Sequence, residues 1–189
     1  MNVLVFNLRT QSKLTDRLTA DVNASYTYDA MDNRGYRNSS SRNPLYILGN
    51  LPRDTSIGEL IPWKDGEGKP YNLNGGFTNP YWLLYELPNH DTKHWFMGNI
   101  TLNYRILNYL NFRLRIATDL QTARGWEYTN MYSQFDTDGQ FKEFSQMAQN
   151  NNIEAMLNFN KRFKKDWNLT ASLGYSWQNR RNERTNLTV

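Results

Sequence analysis

Two histidines are the whole supply of imidazole in this chain of 189 residues, and they stand together: the run NHDTKH holds His90, Asp91 and His94. Imidazoles four residues apart are a metal-binding pattern when a helix turns both to one face. This run instead leads into alternating apolar and polar residues, so a polar loop entering a strand accounts for it. No metal site and no cofactor are expected. DTDGQ at 136–140 opens like a calcium loop but lacks the later ligands and the closing Glu, and reads as a hairpin tip inside a long loop. DGEGKP at 65–70 has neither phosphate-loop spacing nor a following apolar helix, and reads as a turn. The chain has no cysteine, nucleophile elbow, paired-carboxylate motif or zinc-protease motif, so it is not expected to be an enzyme.

The remaining candidates are rings between the predicted strands: Trp63, Tyr71, Tyr81, Trp82, Tyr85 and Trp126. Loop aromatics can stack on sugars or peptides and lose little conformational entropy in doing so. Alternatively they pack the loops. Pro80 and the nearby Gly75 and Gly76 favour packing for Tyr81 and Trp82, which stand in a fixed, folded loop. For Trp63 and Trp126 both roles stay open.

The elements that must hold these rings are strands. From Leu18 to Tyr28 every even position is apolar and every odd one polar, the two-residue period of a strand with unlike flanks. The pattern recurs in FMGNITLNYRI, with Phe96, Ile100, Leu102 and Tyr104 against Asn99, Thr101, Asn103 and Arg105. It recurs again along Leu110–Ile116, Ile153–Phe159 and Trp167–Trp177. With VFNLRTQSKL this makes six strands, near 3–14, 17–29, 94–107, 109–121, 152–163 and 167–178. Tight turns are predicted around Asp16, Asn108 and Lys165, and long loops at 30–93 and 122–151.

Alternating tight and long connections are the pattern of an outer-membrane barrel, with short periplasmic turns and long extracellular loops. A mean hydropathy of −0.79 and the lack of any run near 18 apolar residues rule out a membrane-spanning helix but not a barrel. Tyr26 and Tyr28 on the second strand, and Tyr175 and Trp177 on the sixth, lie away from the tight turns, as an interfacial girdle requires. The fold class expected is all-β: an antiparallel up-and-down transmembrane β-barrel segment, incomplete because the smallest single-chain barrel has about eight strands. A net charge of +4, with its one dense basic run at 160–166 on a predicted turn, gives no reason to expect a nucleic-acid partner. MNVLVFNLRTQ is not a secretory signal. If the protein is exported, its true beginning lies upstream, and NRRNERTNLTV is expected to trail into polar sequence after the sixth strand.

FNLRTQSKLTDRLTADVNASYTY, the run from Asn43 to Glu86 ending in GFTNPYWLLYE, the hairpin GNITLNYRILNYLNFRLR and NKRFKKDWNLTASLGYSW together resemble the barrel region of the SusC/RagA family of TonB-linked outer-membrane transporters. The resemblance covers nearly the whole chain. It implies a barrel of about 22 strands around an N-terminal plug of the same full-length polypeptide. It also implies energisation by the TonB complex, contact with outer-membrane lipid, a SusD-like surface lipoprotein as partner, and import of oligosaccharides or oligopeptides into a Gram-negative cell. Two other functions fit the residues alone: a structural or adhesive outer-membrane barrel that binds surface partners through its long loops, and a soluble all-β carbohydrate-binding module.

Overall fold

The computed structural model describes residues 1–37, 39–71, 73, 77–163 and 167–189. Six strands form one antiparallel sheet in chain order: β1 (Asn2–Lys13), β2 (Leu18–Asp32), β3 (Asn89–Leu107), β4 (Leu110–Thr129), β5 (Gln140–Phe163) and β6 (Trp167–Thr188). Among the described residues between β2 and β3 lie two short helices, α1 (Pro44–Asn50) and α2 (Pro80–Glu86), and a 3-10 turn at Ile57–Leu60. Each helix begins at an Asn-Pro pair. Asn43 and Asn79 accept hydrogen bonds from the backbone N–H of Leu45 and Tyr81, and Pro44 and Pro80 occupy the first helical position, where the missing N–H costs nothing.

The first two tight connections form as the sequence predicts. In the first, Leu14 and Thr15 donate to the Leu18 carbonyl, and the Thr15 hydroxyl accepts from the Arg17 and Leu18 backbone N–H groups. In the second, Leu107 pairs with Leu110 across Asn108 and Tyr109. The third, around Lys165, lies outside the described residues, although Phe163 and Trp167 pair on either side of it.

Four strands run further at the loop end than alternation predicts. β3 starts at Asn89 rather than near 94, β4 ends at Thr129 rather than 121, β5 begins at Gln140 rather than 152, and β6 continues to Thr188 rather than 178. The long loops shrink accordingly to 33–88 and 130–139, and the polar tail after Trp177 is strand. The reason is physical: in these extensions both flanks carry polar residues, so the period disappears while the backbone ladder continues. A strand of 24 residues, β5, spans roughly 80 Å, more than a bilayer core of about 30 Å even when half of that length is lost to tilt.

Register places the apolar flanks of all strands on one side. Val22, Ile100, Ile116, Ile153 and Trp177 form a single cross-strand row, as do Ala20, Leu102, Leu114, Ala155 and Tyr175. The opposite flank is polar, with Asp21, Thr101, Arg115, Glu154 and Ser176 in one row. Side-chain recesses open on this polar flank. One of about 340 Å³ lies among Arg113, Arg115, Glu154, Met156 and Ser176, and another of about 410 Å³ among Lys93, Gln121, Gln146, Asn182 and Arg184. The sheet therefore curls with its polar flank inside.

Candidate functional site

At the loop end, 33–88 and 130–139 build one small layer. Its core is Ile47 of α1 with Trp82, Leu83 and Leu87, and Leu51, Trp63, Phe77 and Phe135 pack around it. Phe135 comes from the β4–β5 hairpin tip, so the two loops share this core. Asn79 is fully buried: besides capping α2 it donates from Nδ2 to the Leu60 carbonyl at 2.9 Å, tying the 3-10 turn to the helix. The turn at 65–70 forms as the sequence predicts, with the Asp65 carboxylate accepting from the backbone N–H groups of Glu67 and Lys69. The tip at 136–140 is the predicted hairpin tip, with Gly139 at φ 83°.

The six candidate rings separate into three groups. Trp82 is wholly enclosed in the loop core. Trp63, Tyr81 and Tyr85 form a cluster on the surface of α2: Trp63 stacks on Tyr85 at 4.9 Å between centroids, and Tyr81 and Tyr85, one helical turn apart, lie 6.5 Å apart and nearly parallel. Tyr71 is exposed beside them, its N–H bonded to the Trp63 carbonyl. Trp126 is not a loop residue. It lies within β4, on the same flank as Ile116, stacked between His90 and Phe141 at 6.4 and 6.2 Å. The two histidines also point to that flank, where His90 pairs with Asp32 at 2.6 Å and His94 with the Tyr26 hydroxyl at 2.8 Å. Asp91, between them in sequence, faces the other way.

Asp91 belongs to the anchor of the long loop on the polar flank. The Arg34 guanidinium bridges Asp91 of β3 at 2.5 Å and Asp29 of β2 at 3.0 Å, while the Arg34 N–H donates to Asn89 Oδ1 at 2.8 Å. The hydrogen bond to Asp91, reinforced by Asp29 and opposed by desolvation, raises the Arg34 pKa further, so the charge is permanent. Tyr36 donates to Glu127 at 3.4 Å, and burial together with the Glu127 charge pushes its phenol up against the pull of Arg42. Glu86, at the end of α2, accepts from Lys64 Nζ and from Asn130 Nδ2, each at 2.6 Å. Burial would raise its carboxyl, but these two partners hold it below the ordinary carboxylate value. The start of the loop is thus fixed to the sheet by charge, and its end is tied to Lys64 within the loop and to Asn130 just past β4.

Below this anchor the polar flank carries a ring that alternation does not predict. Trp95 donates from Nε1 to Asp119 Oδ1 at 2.7 Å and stays partly exposed among Thr27, Met97 and Gln121. The signal was present in HWFMG, where three consecutive large apolar residues, Trp95, Phe96 and Met97, place apolar surface on both flanks.

The apolar flank is a band that crosses the sheet obliquely. On β2 it reaches Tyr28, which pairs with His94 and so shares a row with Thr122, Met147 and Glu183. On β6 it stops at Trp177, in the row of Val22. Above Trp177 the same flank carries Asn179, Arg181 and Glu183. The upper limit therefore slides six residues over four strand-to-strand steps. With about 3.3 Å per residue and about 4.8 Å per strand, a level band requires strands tilted by roughly 45°, the tilt of strands in membrane barrels. The two ends of the girdle, Tyr28 and Trp177, then stand at one height. On β4 the band from Leu110 to Leu120 is roughly 23 Å tall at that tilt, against about 25 Å for the apolar belt of outer-membrane barrels.

Comparison with known proteins supports the same architecture. Three solved structures of the RagAB peptide importer or transporter, two of them in "closed-closed" and "open-open" states, match with TM-scores of 0.68 to 0.69 at 14% identity. The match covers 98% of this chain and 21% of theirs, so the chain spans about a fifth of the length of those proteins. At that identity the likeness establishes the fold: one strip of barrel wall with its connecting loops. No family model and no curated protein sequence matches.

Proposed function

We propose that this chain is part of the barrel wall of a TonB-linked outer-membrane transporter of the SusC/RagA type, with the loop end outside the cell and the tight turns in the periplasm. The observation that carries the reading is the oblique apolar band. Its residues are exposed or half-buried, none of them sealed in a core, although they are apolar, and its slope gives the strand tilt of a membrane barrel without reference to any relative. In lipid, the free edges of β1 and β6 would each leave about ten backbone groups unpaired at several kcal/mol apiece. The strip therefore requires further strands on both sides, in keeping with its coverage of a fifth of the RagAB chains.

Within that reading, the polar flank faces a plug domain of the full-length chain and a wet lumen. In this proposal Trp95 and the Trp63, Tyr81 and Tyr85 cluster meet cargo, an oligosaccharide or an oligopeptide, on its way in; their exposed or half-buried rings support that role. A SusD-like lipoprotein over the loop layer and the TonB complex on the periplasmic side complete the machine. The peptide cargo of the RagAB importer favours the peptide alternative. The test is uptake by the host strain of labelled peptide and glycan pools, with the full-length gene present, deleted, or present without a functional TonB. Loss of uptake of one pool in both defective strains is the expected result. Uptake that ignores TonB, or a full-length protein without a plug, would leave an adhesive or structural barrel as the better account.

A further inference from the structure

The sheet rises well above its apolar band, and near its top rim the outward flank turns aromatic a second time. His90, Trp126 and Phe141 stack in a line, with Tyr128 and Leu187 beside them. Trp126, Tyr128, Phe141 and Leu187 are exposed. Between this patch and the band lies a mostly polar belt: Thr92, Thr122, Arg124, Ser145, Gln149 and Asn151, with Met147 among them. Trp126 stands six residues beyond Leu120, the last band residue on β4, which at the tilt derived above is about 14 Å higher. Phospholipid headgroups occupy only about 5–8 Å on each side of the hydrocarbon. The patch is therefore above any acyl chain, and a second girdle is excluded.

We propose that this outward aromatic rib, with Arg124, Asp32 and Glu143 around it, binds the saccharide chains of lipopolysaccharide in the surrounding outer leaflet. Three observations select that occupant. The flank is continuous with the lipid-facing band, so it looks outward onto whatever projects from the surrounding outer leaflet. The rib is a line of nearly parallel rings, with interplanar angles of 27° and 24°, and its exposed aromatic surface suits the apolar faces of linked pyranoses. Its neighbours mix carboxylate, guanidinium and hydroxyl groups (Glu143, Arg124, Thr92), which can donate to and accept from sugar hydroxyls and pair with core phosphates. Among the described residues Arg124 makes no ion pair, leaving its charge available.

The proposal rests on the outer-membrane reading. The test uses the full-length protein purified in detergent, with lipopolysaccharide from its own host as probe and lipid A stripped of its sugars as comparison. Wild type is expected to bind the whole glycolipid about tenfold more tightly than lipid A. In the double variant Trp126→Ala, Phe141→Ala that preference should vanish while lipid A binding is kept. Trp126→Tyr, Phe141→Tyr should retain the preference. Heat-modifiable migration on gels reports whether each variant is a folded barrel, so failure of the barrel reading appears separately, as absence of that species in wild type. Equal binding of both probes by folded wild type overturns the proposal. So does an undiminished preference in the folded double variant. Loss of a co-purifying lipoprotein, with glycolipid binding unchanged, would assign the rib to a protein partner instead.

Discussion

Ile100 and Thr101 are neighbours in β3, and the isoleucine is 47% exposed while the threonine is 8% exposed. Apolar side chains on the open flank and polar ones on the enclosed flank invert the arrangement of a soluble sheet, in which the apolar flank is sealed by a second layer. No described element of this chain covers Ile100 or Ile116, and lipid is the medium in which that exposure costs nothing. A water-soluble carbohydrate-binding module would need to bury this flank. The isolated strip is accordingly expected to aggregate in water without detergent.

The two flanks should respond oppositely to charge. In the full-length protein, Val22→Arg places a guanidinium in the middle of the apolar band and should cost about 2–4 kcal/mol of folding stability, whereas Asn23→Arg, one residue along, should cost little. Reversible unfolding from detergent or bilayers checks this. Equal losses would mean that the flanks are wrongly assigned.

Gly125 lies where β3, β4 and β5 close up beneath the Arg34 anchor. A Cβ there would come within 2.4 Å of the His90 carbonyl oxygen, 2.8 Å of the Phe144 ring and 2.9 Å of Asp91 Cβ. The backbone oxygen is held in the ladder and cannot yield. Gly125→Ala should destabilise the loop end by about 1–3 kcal/mol, and hydrogen exchange should localise the loosening to the β3–β4 pairing above Gln121. Gly174→Ala is the control, because its nearest neighbour would be the Ala155 carbonyl oxygen at 3.9 Å.

The loop layer should loosen in acid. The Glu86 carboxyl is held below its ordinary value of 4.5 by Lys64 and Asn130 in the folded layer. Its contribution is therefore complete above that value and is lost as the pH falls through the lowered one. A nitroxide at the exposed Leu84 should be immobile at neutral pH and gain mobility only below about pH 4.5. Glu86→Gln should abolish most of that dependence. A label whose mobility changes well above pH 4.5 would point to a group other than Glu86.

How far each part could be read in advance depended on whether its two flanks differ. Leu18 to Tyr28 separates apolar from polar at every step, and its strand and its two unlike flanks follow. In Arg124 to Thr129 one flank carries Arg124, Trp126 and Tyr128 and the other Gly125 and Glu127. Both are wet, so strand and loop look alike in sequence, and Trp126 was expected on a loop. The Asn-Pro starts at Asn43 and Asn79 marked fixed structure in the loop, and the burial of Trp82 agrees with a packing role. The Arg34 anchor carries no local signature, since its partner Asp91 is 57 residues away and is chosen by the fold of the loop.

Depth measurement on the full-length protein in bilayers is the sharpest probe of the tilted lipid-facing wall. Nitroxides placed singly at Val22, Asn23, Tyr28 and Trp177 report membrane depth through the ratio of oxygen to polar-quencher accessibility. The oblique band predicts that Tyr28 and Trp177 lie at one depth near the interface. Val22, although in the same strand row as Trp177, should sit about 14 Å deeper in lipid, and Asn23 should be reached by the polar quencher. Equal depths for Val22 and Trp177, or matching accessibility at Val22 and Asn23, would contradict the tilted lipid-facing wall.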